Sequence, residues 1–163
     1  MKPLMISLAA LALSGCGLQP MYAGGGNGAV AQGLAAVEVP PIEGRAGWLV
    51  RNALNDRLGA AGEAGTRYRL DVRLDENLEG LGVVGDDAVS RERLILRARY
   101  QLVDAATDDI LLDASDAVDA GIDVVSSEYA VIAAEQTAQE RLANTLADRM
   151  IARVALALRK RAE

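Results

Sequence analysis

The sequence contains no histidine and a single cysteine, Cys16. Without histidine, the side chain that titrates nearest neutral pH and the commonest nitrogen ligand for metals are both missing. With one cysteine, no internal disulfide, zinc–thiolate cluster or Cys–His dyad can form. Catalysis would fall to carboxylates, lysine, serine or tyrosine, so the expectation is a protein that is not an enzyme and carries no cofactor or metal. Phenylalanine is also absent, which leaves the core to alanine, valine and leucine. Beyond residue 15 no apolar run is long enough to span a bilayer.

The chain has 163 residues, enough for one domain around one core. Its formal net charge is −6. Such a balance argues against nucleic acid as a partner, because phosphate backbones need a net basic field. It leaves room for anionic ligands at a local basic stripe.

The first residues read as an address. Met1-Lys2-Pro3 is a short cationic start, and residues 4–13 form an apolar stretch of signal-peptide length. Leu13-Ser14-Gly15-Cys16 follows: small residues where a peptidase must grip an extended backbone, then a thiol for lipid transfer. This resembles the bacterial lipobox. Residues 1–15 are therefore expected to be a lipoprotein signal peptide, with cleavage before Cys16 and lipidation on it. A multiply acylated cysteine would hold the chain stably at a membrane. Gly17 stands where many inner-membrane lipoproteins carry aspartate, so the expected address is the outer membrane, on its periplasmic face. Ala23-Gly24-Gly25-Gly26-Asn27-Gly28 reads as part of a tether over residues 16–34.

A single α+β domain is expected over residues 35–163. Ala36-Val37-Glu38-Val39 reads as a short strand closed by Pro40-Pro41. A helix is expected from residue 44 or 45 to about 61, with Trp48, Leu49, Ala53, Leu54 and Leu58 near one face and Gly62 and Gly65 beyond its end. Tyr68, Leu70, Val72 and Leu74 then alternate with charged residues, as in a half-buried strand. Residues 80–87 read as a glycine-rich turn with apolar side chains, either folded onto the core or inserted into a partner or lipid. Leu94, Leu96, Ala98, Tyr100 and Leu102 mark the next strand, and residues 110–118 a third strand of the meander. Ser126 or Ser127 is a candidate cap for a long helix to about Arg161, carrying Ile132, Leu142, Leu146, Met150, Val154 and Leu158 as its apolar stripe. The order β-α-β-β-β-α suits a small mixed four-stranded sheet with two helices on one face.

Two constellations stand out. Asp113, Asp116, Asp119 and Asp123 are spaced along a strand, which sends acids to alternate faces instead of wrapping them around a cation. Solvated surface and turn positions are the simpler reading. Arg69, Arg73, Arg93, Arg97 and Arg99 share one parity, so a hairpin would gather them on the helix-free face together with Asp71 and Asp75. That face is either a salt-bridged exposed surface or a guanidinium stripe for phosphate or carboxylate groups. The basic triplet Arg159-Lys160-Arg161 complements the dipole at the end of the last helix and aids solubility, with contact to lipid headgroups as the alternative.

Three stretches carry a family likeness: Gly15-Cys16-Gly17-Leu18-Gln19-Pro20-Met21-Tyr22, Arg45-Ala46-Gly47-Trp48-Leu49-Val50-Arg51-Asn52-Ala53-Leu54, and Ser127-Glu128-Tyr129-Ala130 through Ala133-Ala134-Glu135-Gln136. With the element order, they resemble the lipopolysaccharide-assembly lipoprotein family. That resemblance implies a non-catalytic lipoprotein of the outer membrane that plugs a β-barrel translocon and helps to assemble lipopolysaccharide at the cell surface. It implies the barrel, lipopolysaccharide and, through the lipid anchor, the membrane as partners, and no nucleic acid. The alternative is an auxiliary lipoprotein of an ABC-type lipid transporter. No lipid-binding residue carries over by motif, so the arginine stripe rests on strand parity alone.

Overall fold

Period-two alternation puts the apolar residues of a strand on one side and the polar ones on the other. The computed structural model describes residues 28–59, 65–84 and 88–162, and its two central strands follow that rule. In chain order the elements are α1 (Ala29–Ala35), β1 (Val37–Glu38), α2 (Gly44–Leu58), β2 (Tyr68–Val84), β3 (Ala88–Asp104), β4 (Ile110–Asp123) and α3 (Glu128–Ala162). The fold is α+β, with one four-stranded sheet in the order β1-β2-β3-β4. β1 runs parallel to β2, as the helical crossover between them permits, and the other two pairings are antiparallel. All helices pack on one face.

Even-numbered positions point inward. Leu70, Leu96, Tyr100 and Leu102 are almost fully buried, and so are Leu146, Met150 and Val154 of α3 opposite them. Each large side chain so buried contributes about 1.5–3 kcal/mol, which offsets the conformational entropy of ordering a chain that has no phenylalanine. α2 adds Val50, Ala53, Leu54 and Leu58, then stops where Gly59 takes a φ of 80°. That stop comes before Gly62 and Gly65, which the sequence had marked. At the start of α3, the Ser127 hydroxyl accepts from the Ala130 amide at 3.4 Å, the cap expected there.

Several boundaries differ from the sequence reading, each for a physical reason. α1 occupies residues read as tether: its alanines favour a helix, Leu34 is buried, and Gly33 lets the helix approach Leu158. Gly80 to Val84 belong to β2, paired with Glu92 to Ala88, and the rest of the stretch read as a turn, residues 85–87, lies outside the described residues. The antiparallel ladder needs only backbone groups, so it runs on past the point where the apolar alternation fades. β4 likewise continues to Asp123. Trp48 is 62% exposed and is no part of the core. A Cβ on Gly47 would sit 2.6 Å from the Ile42 carbonyl oxygen, so α2 presses its glycine side against the preceding loop and turns Trp48 outward. Ile132 is also exposed, and the buried stripe of α3 starts at Ala138, because no side chain between residues 128 and 137 is buried.

Candidate functional site

Hairpin pairing fixes what the opposite, helix-free face of the sheet carries. Leu74 pairs with Ala98 and Val72 with Tyr100, so the odd positions of β2 and β3 share the outer face. Arg69, Arg73, Arg93, Arg97 and Arg99 all lie there, joined by Arg91. They do not form a bare cationic stripe. Asp71, Asp75 and Glu79 of β2 and Asp113, Asp119 and Asp123 of β4 occupy the same face, six acids against six arginines.

The register matches these charges in pairs. Arg93 Nε lies 3.0 Å from Asp119 Oδ2, Arg99 Nη2 3.1 Å from Asp113 Oδ2, and Arg91 Nε 2.9 Å from Asp123 Oδ1. Arg97 reaches Asp75 at 3.5 Å, and Arg69 reaches Asp71 at 3.1 Å and Asp108 at 3.9 Å. The hydrogen bond and charge of Asp119 raise the Arg93 pKa above its ordinary range. Hydrogen bonds from Arg99 and Gln101 hold the Asp113 carboxyl below its own. Three of the four β4 aspartates are thus partners of β3 arginines. The fourth, Asp116, points to the inner face.

Arg73 is the exception. It is exposed, and among the described residues it has no ion pair or hydrogen-bond partner. Its cross-strand neighbour is Arg99, a like charge directly opposite. Two hollows of about 440 Å³ each meet at this pair. One is bounded by Pro40, Pro41, Asp71 and Gln101, the other by Asp75, Arg97, Ser115 and Ala117. Three of the five arginines named from the sequence, Arg73, Arg97 and Arg99, therefore line one trough across the sheet. Arg69 and Arg93 do not join it: each lies four residues along its strand from Arg73 or Arg97, about 14 Å away. A trough with one unpaired guanidinium, two more held by exchangeable carboxylates and the Ser115 hydroxyl can receive an anion bidentately.

The inner face holds a polar group that the sequence reading had placed among solvated acids. The Asp116 side chain is 9% exposed, and its carboxylate accepts the Tyr100 hydroxyl at 2.6 Å. Arg153 of α3 adds two contacts to it at 3.0 Å. Burial first, then the bond to Asp116, pushes the Tyr100 hydroxyl pKa up. Strand parity was the available signal, since Asp116 falls in the even series with Leu112, Ala114 and Val118. A second clasp, Arg161 to the buried Asp104 at 3.0 Å, ties the end of α3 to the β3–β4 turn. Among the described residues no cluster of acids could hold a metal ion, and no helix is long and apolar enough to cross a membrane. Cys16 lies outside the described residues.

Comparison with known proteins bears on both fold and role. The family model LptE, described as lipopolysaccharide-assembly, matches residues 34–154. No curated protein matches the chain. Among solved structures, a protein from Caulobacter crescentus CB15 described as a lipoprotein is 29% identical, with a TM-score of 0.67 over 79% of this chain and 95% of that one. Rare lipoprotein B from Shewanella oneidensis is 13% identical, with a TM-score of 0.56 over 78% of this chain and 98% of its own. A minor lipoprotein from Acinetobacter baumannii is 17% identical, with a TM-score of 0.54 over 74% and 90%. The last two share the fold.

Proposed function

The chain belongs to the lipopolysaccharide-assembly family LptE, and from that premise we propose that it is a lipid-anchored, non-catalytic subunit that plugs an outer-membrane β-barrel translocon. In this reading the signal peptide is removed before Cys16, the cysteine is acylated, and the folded body works on the periplasmic face of the outer membrane. The outer sheet face supports a place inside a barrel: it is charged, neutral in sum and free of helices, as a polar lumen requires and a lipid-facing surface does not.

The observation that carries the ligand reading is Arg73, an exposed guanidinium without a partner among the described residues, at the junction of two hollows. We propose that phosphate groups of lipopolysaccharide enter the trough there and engage Arg73 first, then Arg97 and Arg99 as their aspartates yield. The earlier expectation gave Arg69 and Arg93 equal weight; their ion pairs and their distance from the trough lower it. Purified protein carrying Arg73→Glu should bind lipopolysaccharide about tenfold more weakly, at unchanged melting temperature, whereas Arg69→Glu should bind almost as the parent does. Equal binding by all three would return the face to a salt-bridged surface. The barrel reading predicts that the lipoprotein co-purifies with a large outer-membrane barrel after detergent extraction. Recovery alone, with normal surface lipopolysaccharide after depletion, would sink it.

A further inference from the structure

An open sheet has two outer edges, and the backbone groups along each must bond to water, a side chain or another strand. In this sheet the edges are β4 and, beyond Arg69, β2. The two differ. α3 packs along β4, and Arg149 Nη1 donates to the Ala117 carbonyl oxygen at 2.8 Å, which covers the middle of that edge. Among the described residues β2 has no such cover. β1 pairs only with Tyr68 and Arg69. It cannot continue, because the Val39 carbonyl accepts from Arg51 Nε at 2.9 Å and Pro40 and Pro41 have no N–H.

Register decides which groups the open edge presents. The Tyr68 amide turns toward β1, where it donates to the Ala36 carbonyl oxygen at 3.1 Å. Successive residues of a strand turn their backbone groups to opposite sides, and the β2–β3 register runs without a shift from Tyr68 to Leu81. Leu74, Glu76, Leu78 and Gly80 therefore point their N–H and C=O groups away from β3. Leu78 is 45% exposed although Leu94 opposite it is buried, so the apolar layer of the inner face reaches this edge and ends uncovered. Residues 74–81 include Asp75, Glu76 and Glu79 and no cation. Asp75 and Glu79 stand on the outer face with Arg97 and Arg93 opposite them on β3, away from the edge. The Glu76 carboxylate accepts from Gln139 of α3 at 2.7 Å.

We propose that this edge takes a fifth strand, an extended segment of the barrel partner in which apolar and cationic residues alternate. The inference rests on the barrel reading. Main-chain bonds to the even positions hold the segment. Its apolar residues cover Leu74 and Leu78, and its cations flank Asp75 and Glu79. The wall strands of a closed barrel have no free edge, so the segment comes from a loop or tail inside the lumen. A second copy of this chain is the poorer occupant, since pairing β2 with itself brings Asp75, Glu76 and Glu79 against their own kind.

The test is residue-resolved hydrogen exchange on the native complex, extracted with its barrel in detergent, and on the isolated chain. In the isolated chain the amides of Leu74, Glu76, Leu78 and Gly80 should exchange fast, while the odd-numbered amides between them, bonded to β3, exchange slowly. In the complex the even amides should slow about a hundredfold. Glu76→Pro removes one outward N–H and sets a ring in the path of the incoming strand, yet spares the β2–β3 bonds, and should abolish that slowing. Glu76→Lys with Glu79→Lys keeps the backbone and should do the same at unchanged circular dichroism; it decides the matter where the proline chain does not fold. A complex whose even amides stay fast, or stay slow in the double-lysine chain, overturns the proposal and leaves the barrel reading standing. Slow even amides in the isolated chain assign the edge to this chain itself or to a second copy, and overturn it as well. Recovery of the chain without a barrel removes the reading and the proposal together.

Discussion

Asp116 offers the sharpest test of how the sheet and α3 are held together. The perturbation is Asp116→Ala. It removes the acceptor of the Tyr100 hydroxyl, whose residue is 1% exposed, and releases the Arg153 guanidinium, which is half exposed. A hydrogen bond to a charged acceptor contributes about 1.5–3 kcal/mol when its donor is left buried and unsatisfied. The arginine contact is open to water and adds about 0.5–1 kcal/mol. The expected loss is therefore about 2–4 kcal/mol, read by urea unfolding followed by far-ultraviolet circular dichroism.

A double-mutant cycle apportions that loss. Tyr100→Phe in the parent should cost about 1–2 kcal/mol, since it strips one donor from a carboxylate that keeps its arginine. In the Asp116→Ala background the same change should cost nothing or restore stability, because the stranded hydroxyl goes with it. The coupling then measures the Tyr100–Asp116 bond. Equal costs of Tyr100→Phe in both backgrounds would refute the reasoning and assign the loss at Asp116 to packing or to Arg153 alone.

Two further outcomes follow from local geometry. Gly47→Ala should destabilise the fold by about 1–3 kcal/mol, because its methyl group meets the Ile42 backbone at 2.6 Å and the loop must shift; fluorescence of Trp48, the sole tryptophan, should change with it. For Asp113 the folded pKa lies below its ordinary value of 3.8, so its contribution is present above that value and is lost as the pH falls through the lowered one. Thermal melts should accordingly be flat for this group near neutrality and decline only in acid, and Arg99→Met should shrink the decline that Asp113 supplies.

Parity made the centre of the fold legible. Tyr68 to Leu74 and Leu94 to Leu102 each hold an unbroken apolar series, so the two strands and their buried face could be read without coordinates. The outer reaches could not. Glu76, Asn77, Glu79 and Gly80 carry no apolar signal, yet β2 continues through them because backbone hydrogen bonds to β3 need no side chain. Trp48 misled in the other direction. Its size marked it as core, but the close approach of Gly47 to Ile42 decides which side of α2 faces inward, and that contact lies between segments. α1 was hidden because a glycine inside seven residues lowers helix propensity, while the gain that stabilises it comes from tertiary contact with Leu158.

The site shows the same division between parity and register. Parity alone gathers five arginines on one face and makes it look basic. Register brings Asp113, Asp119 and Asp123 of β4 against Arg99, Arg93 and Arg91, and the face becomes neutral. A neutral face does not draw anions from a distance. In the proposed binding it would select by exchange: an incoming phosphate must displace an aspartate from each paired arginine, and the displaced carboxylate must find water. Only at Arg73 is that step absent, since among the described residues no carboxylate pairs with it and Arg99 opposite repels it. A phosphate bridging Arg73 and Arg99 relieves that repulsion while it binds. Binding should therefore start there, and that one position should govern it more than the sum of the arginines does.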